Sequence, residues 1–142
     1  MIGAILMRVG NRRAWKAFNR RDLDYFEPYL ADGVVYEVAG RPPIGGRFVG
    51  KAAWREANQR WMDSLASFEI RVIHEALTNP FALGFSNTIL TEYEAVETTR
   101  DGQTLRTRGI DVSKMKRGKL VAERNYTFDL EAEEAIRQPA SL

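Results

Sequence analysis

The sequence predicts an α+β fold, and three features of its apolar pattern support that class. Apolar residues recur with helical spacing near the start of the chain, alternate with polar residues through most of the rest, and return to helical spacing once in between. The links between the later strands are short enough for hairpins, so the sheet should be antiparallel. With 142 residues, the chain is expected to form one domain spanning residues 1–142.

Composition and charge argue against several classes of protein. Hydrophobic residues make up 44% of the chain and charged residues 28%, as in an ordinary globular protein. The net charge of +2 gives no strong field for a nucleic acid or an anionic membrane, so neither partner is expected. With no cysteine and one histidine, no metal site is predicted, and no cofactor is expected. The apolar opening MIGAILM is too short to cross a bilayer, and we expect a cytoplasmic protein.

Two helices are predicted before the first strand. The first runs from about Ile5 to Arg20, and Asp22 can cap a short second helix that Pro28 keeps short or kinked. A basic stripe along the first helix is either its solvated face or a contact for an anionic partner. The stripe consists of Arg8, Arg12, Lys16 and Arg20.

The middle of the chain holds a strand, a loop, a third helix and two long strands. The segment VVYEV is the first strand, Gly40 to Gly50 is a loop, and Lys51 to Ala66 returns to helical spacing. Trp54 and Trp61 share a stripe of that helix, where they serve either the core or a ligand platform. Alternation then predicts one strand through Phe68, Ile70, Val72 and His74, and another through Phe81, Leu83, Phe85, Ile89 and Tyr93.

The last third of the chain predicts a hairpin that carries an isolated acid, Asp111. Turns at Asp101-Gly102 and Arg117-Gly118 bound strands over Thr104 to Lys116 and Lys119 to Leu130, before a short helix and a frayed tail. If the face that carries Asp111 lines a pocket, desolvation raises its pKa and makes it a usable acid or base near neutral pH. Alternatively, Asp111 pairs with a cross-strand arginine such as Arg124 or Arg108. That face also carries Thr107, Gly109, Ser113 and Met115.

Three segments resemble the SnoaL-like branch of the nuclear transport factor two superfamily, and the resemblance extends from about Val9 to Asp129. They read AWKAFNRRDLDYFEPYLADGVVYEVAG, GGRFVGKAAW and GKLVAERNYTFD. The resemblance implies a cone, in which a strongly curved antiparallel sheet wraps around about three helices and encloses a mostly apolar pocket. It also implies a homodimer packed through the sheet. Members include polyketide cyclases, ketosteroid isomerases, limonene epoxide hydrolase and proteins with no known chemistry, so the fold alone does not decide the function.

The resemblance places candidate chemical groups on particular strands. A ketosteroid isomerase needs a base and a tyrosine where this chain has Val38 and Ala14, although Asp111 matches its protonated aspartate. Limonene epoxide hydrolase needs an aspartate where this chain has Asn125, and an amide cannot take a proton from water as a carboxylate can. Glu92 and Glu94 fall where that hydrolase has its central arginine and aspartate. Aldol-type polyketide cyclases place their acid and base on the last two strands, about where Asp111 and Asn125 lie.

The expected site therefore combines Asp111, Asn125 and Tyr36 as catalytic residues with an apolar substrate-binding wall. Asp111 would donate or accept the proton, while Asn125 and Tyr36 would orient a substrate oxygen. His74 either enters the pocket or packs in the core. The substrate-binding candidates are Trp15, Phe18, Trp54, Trp61 and His74.

Three functions are compatible with these residues. The favoured one is a small-molecule enzyme or ligand-binding protein for an apolar, oxygen-bearing compound of terpenoid, steroid-like or polyketide type. Its chemistry would be cofactor-free acid/base catalysis, as in an isomerase, cyclase, dehydratase or hydrolase. The alternative is a non-catalytic ligand-binding or dimeric interaction domain that has lost its acid/base set. Nucleic-acid binding rests only on the helical stripe and on a second basic cluster, expected to be solvated, at Lys114, Lys116, Arg117 and Lys119.

Overall fold

The computed structural model describes residues 2–42, 44–82 and 85–137, and it confirms the α+β cone predicted from the sequence. A six-stranded sheet is combined with three α-helices and one short 3-10 helix. The elements are α1 Ile2–Asn19, the 3-10 helix Asp24–Tyr29, β1 Leu30–Val38, β2 Gly46–Val49, α2 Lys51–Asp63, β3 Leu65–Leu77, β4 Ser86–Thr99, β5 Thr104–Lys116, β6 Lys119–Thr127 and α3 Leu130–Arg137.

The sheet is mixed, with the strand order β2-β1-β6-β5-β4-β3. Four of the neighbouring pairs are antiparallel, as the sequence predicts, but β1 and β6 are parallel. A parallel pair needs a long connection, and here most of the domain lies between the two strands. The short strand β2 lies inside the segment predicted as a loop, where it pairs with the outer edge of β1.

Several element boundaries differ from those predicted. β1 begins at Leu30, before the segment VVYEV, and β6 ends at Thr127 because Leu130 already begins α3. The third predicted helix, α2, ends at Asp63 because Leu65 already begins β3, where its side chain is buried. The strand predicted from Phe81 begins only at Ser86, since Phe81 and Phe85 lie in the preceding loop and are 80% and 70% exposed. Leu83 and the end of the predicted tail, residues 138–142, lie outside the described residues.

Two asparagines fasten α1 to the sheet. The side-chain amide of Asn19 both donates to the Ile70 carbonyl and accepts from the Ile70 N–H, each at 2.8 Å. Nearer the start of the helix, Asn11 Nδ2 donates to Glu75 Oε1 at 2.7 Å and to Thr91 Oγ1 at 3.0 Å. These amides provide hydrogen-bond partners for polar groups that α1 covers. The bonds therefore fix the position of α1 over β3 and β4.

The core forms where α2 and the 3-10 helix meet β1 and β6. Its most buried members include Val34, Trp54 and Met62, and Phe18 and Phe26 pack against them. Within the described ranges, none of the helices is long and apolar enough to cross a bilayer.

Candidate functional site

A cavity of about 420 Å³ lies between the helices and the inner face of the sheet. That volume is within the range of sites that hold small molecules. Leu6 of α1 and Tyr29 of the 3-10 helix line the cavity and are exposed, so its mouth lies between these two helices. Trp54, Tyr93 and Asp111 line the opposite end, where each is buried. The chain therefore encloses an interior space with one open end.

Aromatic side chains from the helices and from β4 form the apolar wall of this cavity. Trp15, Phe18, Trp54 and Trp61, four of the substrate-binding candidates, all line it. The centroid of the Phe18 ring lies 6.0 Å from that of Trp15 and 5.7 Å from that of Trp61. The Trp15 ring lies 5.8 Å from that of Tyr93 on the sheet. The helical spacing of these residues thus places them on the wall that faces the sheet.

The turn and the register of the β5–β6 hairpin decide which polar residues face the cavity. Arg117 and Gly118 both have positive φ, at 50° and 73°, as a two-residue hairpin turn with the twist of the strands requires. The pairing Met115↔Leu120 is followed by Lys114↔Ala122, so Val121 is an extra residue that forms a β-bulge.

Because of this bulge, Asn125 lies opposite Asp111 and Glu123 lies opposite Ser113. All four side chains line the cavity. Without the extra residue, Arg124 would pair with Asp111, since side chains alternate between faces with a period of two.

Asp111 is only 2% exposed and belongs to the cavity wall. Ser113 Oγ donates to its Oδ1 at 2.6 Å, whereas Oδ2 is buried and has no hydrogen-bond partner in the part of the chain that the structure describes. Burial raises the pKa of Asp111, and the neighbouring side chains of Ser113, Glu123 and Asn125 partly oppose this rise. Asp111 is therefore a buried carboxyl whose second oxygen lacks a donor of normal geometry.

The alternative pairing of Asp111 with an arginine is wrong. Arg124 Nε donates to Glu37 Oε2 at 2.8 Å, and Arg108 binds Glu94, also at 2.8 Å. Both arginines are exposed on the outer face of the sheet. The carboxyl of Asp111 therefore faces the interior without a cationic partner from either of these residues.

Glu123 is the second carboxyl of the site. Its Oε2 accepts a hydrogen bond of 2.6 Å from Nε1 of Trp54, a residue that is itself buried in the core. Burial raises the pKa of Glu123 well above its usual range, and the negative charge of Asp111 raises it further. The Trp54 hydrogen bond acts in the opposite direction. Asp111 is buried and Glu123 is half-buried beside it, and two adjacent carboxyls resist ionising together.

Tyr93 and Gly109 hold Asn125 in one orientation. The Tyr93 hydroxyl donates to Asn125 Oδ1 at 2.9 Å, which leaves the amide nitrogen on the side of Asp111. Burial raises the pKa of Tyr93, so its phenol stays protonated as a donor. A Cβ on Gly109 would lie 2.4 Å from the Tyr93 hydroxyl oxygen. Glycine at this position on β5 is therefore what allows the tyrosine to reach across to β6.

The structure places the two remaining candidates, Tyr36 and His74, on opposite faces of the sheet. Tyr36 lines the cavity beside Trp54, with ring centroids 6.4 Å apart, so it lies with the other candidate residues. The expectation that His74 enters the pocket or the core is wrong, because its side chain is 76% exposed and contacts Glu92 on the outer face. The pairs Val72↔Tyr93 and His74↔Glu92 leave Ile73 as an extra residue on β3. This bulge reverses the alternation, so the residue after His74, Glu75, turns inward instead.

Sequence reasoning did not select Glu123, Tyr93 or Glu97 as site residues. Tyr93 and Glu97 follow the strict alternation of β4, in which every second residue is buried, so this signal was available. Glu123 lies two residues before Asn125 on the same strand, and that spacing was also a usable signal. The strand that has an amide at Asn125 thus carries a carboxyl two positions earlier, at Glu123.

Comparisons with known proteins agree on the family and the fold. A family model described as a SnoaL-like domain matches residues 11–123. No curated protein matches the chain.

Several solved structures share the fold at low sequence identity. Bal32a, from a soil-derived mobile gene cassette, has 19% identity and a TM-score of 0.81, over 96% of this chain and 99% of that one. TerC, co-crystallised with polyporic acid, has 17% identity and a TM-score of 0.71, over 96% and 98%. A putative polyketide cyclase from Xanthomonas campestris has 23% identity and a TM-score of 0.64, over 92% and 96%. At these identities the likeness establishes the fold alone.

Proposed function

The chain belongs to the SnoaL-like domain family, and from that premise we propose that it is a cofactor-free acid/base enzyme for a small, apolar, oxygen-bearing molecule. The reaction is of isomerase or cyclase type, and Asp111 and Glu123 carry the proton. One observation carries this proposal, namely that two neighbouring carboxyls of raised pKa, Asp111 buried and Glu123 half-buried, line a ligand-sized cavity.

The carboxyl pair can complete a proton cycle without outside help. The Asp111 carboxylate removes a proton from a carbon next to a substrate carbonyl, while the Glu123 carboxyl gives its proton to the carbonyl oxygen. The product is an enol, and the pair now has its proton on Asp111. Asp111 then gives its proton to a different carbon, or to the oxygen of a second carbonyl group that the enol carbon attacks. In both cases the enol hydroxyl returns its proton to the Glu123 carboxylate, which regenerates a carbonyl compound and the starting state of the pair. Since both reactions conserve the atoms of the substrate, no water, metal or redox partner takes part.

The remaining polar groups would position the substrate oxygen. The Asn125 amide, oriented by Tyr93, presents N–H donors next to Asp111. Donors that are fixed before the reaction stabilise a developing oxyanion better than water does, because they need no reorganisation. Aromatic rings of Trp15 and Trp61 would hold the apolar part of the molecule. TerC, which shares this fold, was co-crystallised with polyporic acid.

A deuterium-exchange experiment tests the proposal before the natural substrate is known. A panel of apolar cyclic ketones is incubated with the protein in heavy water, and NMR follows incorporation of deuterium next to the carbonyl. We expect Asp111→Asn to slow the exchange by about 100-fold or more. Glu123→Gln should also slow it, while Glu69→Gln, on the exposed face of β3, is the matched control.

Circular dichroism of each variant separates lost chemistry from lost folding. Exchange at the same rate in Asp111→Asn and in the unmodified protein would refute the proposal. Ketones that bind tightly but never exchange would favour the non-catalytic alternative.

We also propose that the partner of this chain is a second copy packed on the outer face of the sheet. Ile110 lies opposite Tyr126 on that face, and Tyr126 is 46% exposed. These two residues form a small apolar patch on a face that otherwise carries charged residues such as Arg108 and Arg124, and exposed apolar patches are typical of interaction sites. Light scattering should give the mass of a dimer, and Tyr126→Lys should shift it towards the monomer. A monomer at all concentrations would contradict the proposal.

A further inference from the structure

The charged side chains around the cavity are unequal in sign. Four acids line it, Glu97, Asp111, Glu123 and Glu133, whereas Arg13 is the one basic side chain among the described lining residues. Glu97 and Asp111 are each 2% exposed, while Arg13 is exposed to solvent at the α1 side of the cavity. An anionic ligand would therefore meet more repulsion than attraction at the buried end.

The carboxyl pair of Asp111 and Glu123 adds a buried charge that the protein does not neutralise. In the proposed function the pair shares one proton, and it then carries one negative charge. Its hydrogen-bond donors, the Ser113 hydroxyl and the Trp54 indole, are both neutral. Within the described residues, neither carboxyl forms an ion pair with a lysine, arginine or histidine. A buried charge is costly unless it is paired with an opposite charge. A positive group that enters the cavity would form the ion pair that none of the described side chains provides, and this would favour its binding.

Aromatic rings that line the same cavity suit the same kind of group, and Trp54 among them contacts Glu123 directly. The Trp15 ring lies 5.8 Å from that of Tyr93, and the Trp61 ring lies 5.7 Å from that of Phe18, along the same wall. The faces of such rings attract cations, and the attraction grows when the cation has lost its water. A molecule bound here would thus have rings around it and carboxyls at its end.

We propose that the ligand of this cavity is an organic cation, an apolar molecule that bears a basic amine or a quaternary ammonium group, with its nitrogen between the aromatic wall and the Asp111–Glu123 pair. This inference rests on the proposed function, since it uses the same carboxyl pair. It adds that the substrate carries a positive charge. The amine and the reacting carbonyl would be parts of one molecule. A carboxylate-bearing analogue of the same shape would be repelled by the charge of the Asp111–Glu123 pair.

Two probes of equal shape test the proposal. Phenyltrimethylammonium carries a fixed charge, and tert-butylbenzene is its uncharged counterpart. All three tryptophans of the chain line the cavity, so quenching of their fluorescence reports its occupancy. At about pH 7.5 we expect the cation to bind about tenfold or more tighter than the neutral probe.

The neutral double variant Asp111→Asn with Glu123→Gln should reduce this preference to about twofold or less, because it keeps the shape and removes the charge. If that variant does not fold, acidification of the unmodified protein provides the same test, since protonation of the pair should weaken binding of the cation and not of the neutral probe. A cation that binds no tighter than tert-butylbenzene overturns the inference.

Infrared spectroscopy tests the proposed function independently of the cation-binding experiment. A protonated carboxyl band at neutral pH that Glu123→Gln abolishes supports the shared proton on its own. If that band is present and the neutral probe binds as well as the cation, the cation inference fails and the acid/base proposal stands. If the band is absent and the cation is still preferred, the acid/base proposal fails and the charge inference stands.

Discussion

Replacing Glu123 by glutamine should make the protein more stable at neutral pH. Burial and the charge of Asp111 hold the pKa of Glu123 well above its ordinary value of 4.5. The folded protein therefore keeps a proton that the unfolded chain releases, and this difference lowers the stability as the pH rises. Glutamine keeps an oxygen for the Trp54 indole and offers an N–H towards Asp111 without needing a proton.

The size of the effect follows from one retained proton. Below pH 4.5 both states of the chain hold it, and Glu123 makes its full contribution to stability. Above that value, each pH unit up to the folded-state pKa of the carboxyl pair costs the unmodified protein about 1.4 kcal/mol relative to Glu123→Gln. Above the folded-state pKa of the pair, the difference in stability between the two proteins no longer changes with pH.

Urea denaturation of both proteins from about pH 4 to about pH 8 measures this difference directly. Contributions from all other carboxyls cancel between the two proteins, except that of Asp111, which titrates with Glu123 as one unit. Glu69→Gln serves as the control, because the same chemical change on the exposed outer face should leave the profile nearly parallel to that of the unmodified protein. A difference between Glu123→Gln and the unmodified protein that does not change with pH would refute the shared proton.

Three further substitutions test the surroundings of the pair. Tyr93→Phe removes the hydrogen bond to Asn125 and should cost about 1 kcal/mol in urea denaturation; no loss would show that the bond does not hold Asn125. Gly109→Ala places a Cβ 2.4 Å from the Tyr93 hydroxyl oxygen and should cost about 1–3 kcal/mol, so equal stability would contradict the close approach. His74→Ala should change stability by less than about 0.5 kcal/mol and leave binding of the fluorescence probes unchanged. Weaker binding of the probes by His74→Ala would show that His74 does contribute to the site.

Period-two alternation was sufficient to predict the wall that carries Asp111. The strand predicted from Thr104 to Lys116 has those limits in the structure, and its inner face carries the predicted residues. Helical spacing similarly placed Trp15, Trp54 and Trp61. These predictions succeeded because each depends on a periodicity that runs uninterrupted within one element.

Two wrong predictions, the interior position of His74 and the pairing of Asp111 with Arg124, arose where a bulge interrupts the alternation. The extra residue Ile73 turns His74 outward, and the extra residue Val121 turns Glu123 inward and Arg124 outward. Neither bulge is marked by glycine or proline, so composition gives no warning of it. Glu123 stands between an alanine and an arginine, which is typical of a solvated strand face. Its burial depends on Asp111 and Trp54, which come from elsewhere in the chain.

The parallel pairing of β1 with β6 joins two strands that are far apart in the chain. Glu37 and Arg124, which bond across that pair, are 87 residues apart in the chain. During synthesis β1 and β2 leave the ribosome early, but one edge of β1 stays without a partner until the final strand has been made. Closing so long a loop is slow, so folding should take milliseconds to seconds. The carboxyl pair, with Glu123 on the last strand, therefore cannot assemble before β6 has been synthesised.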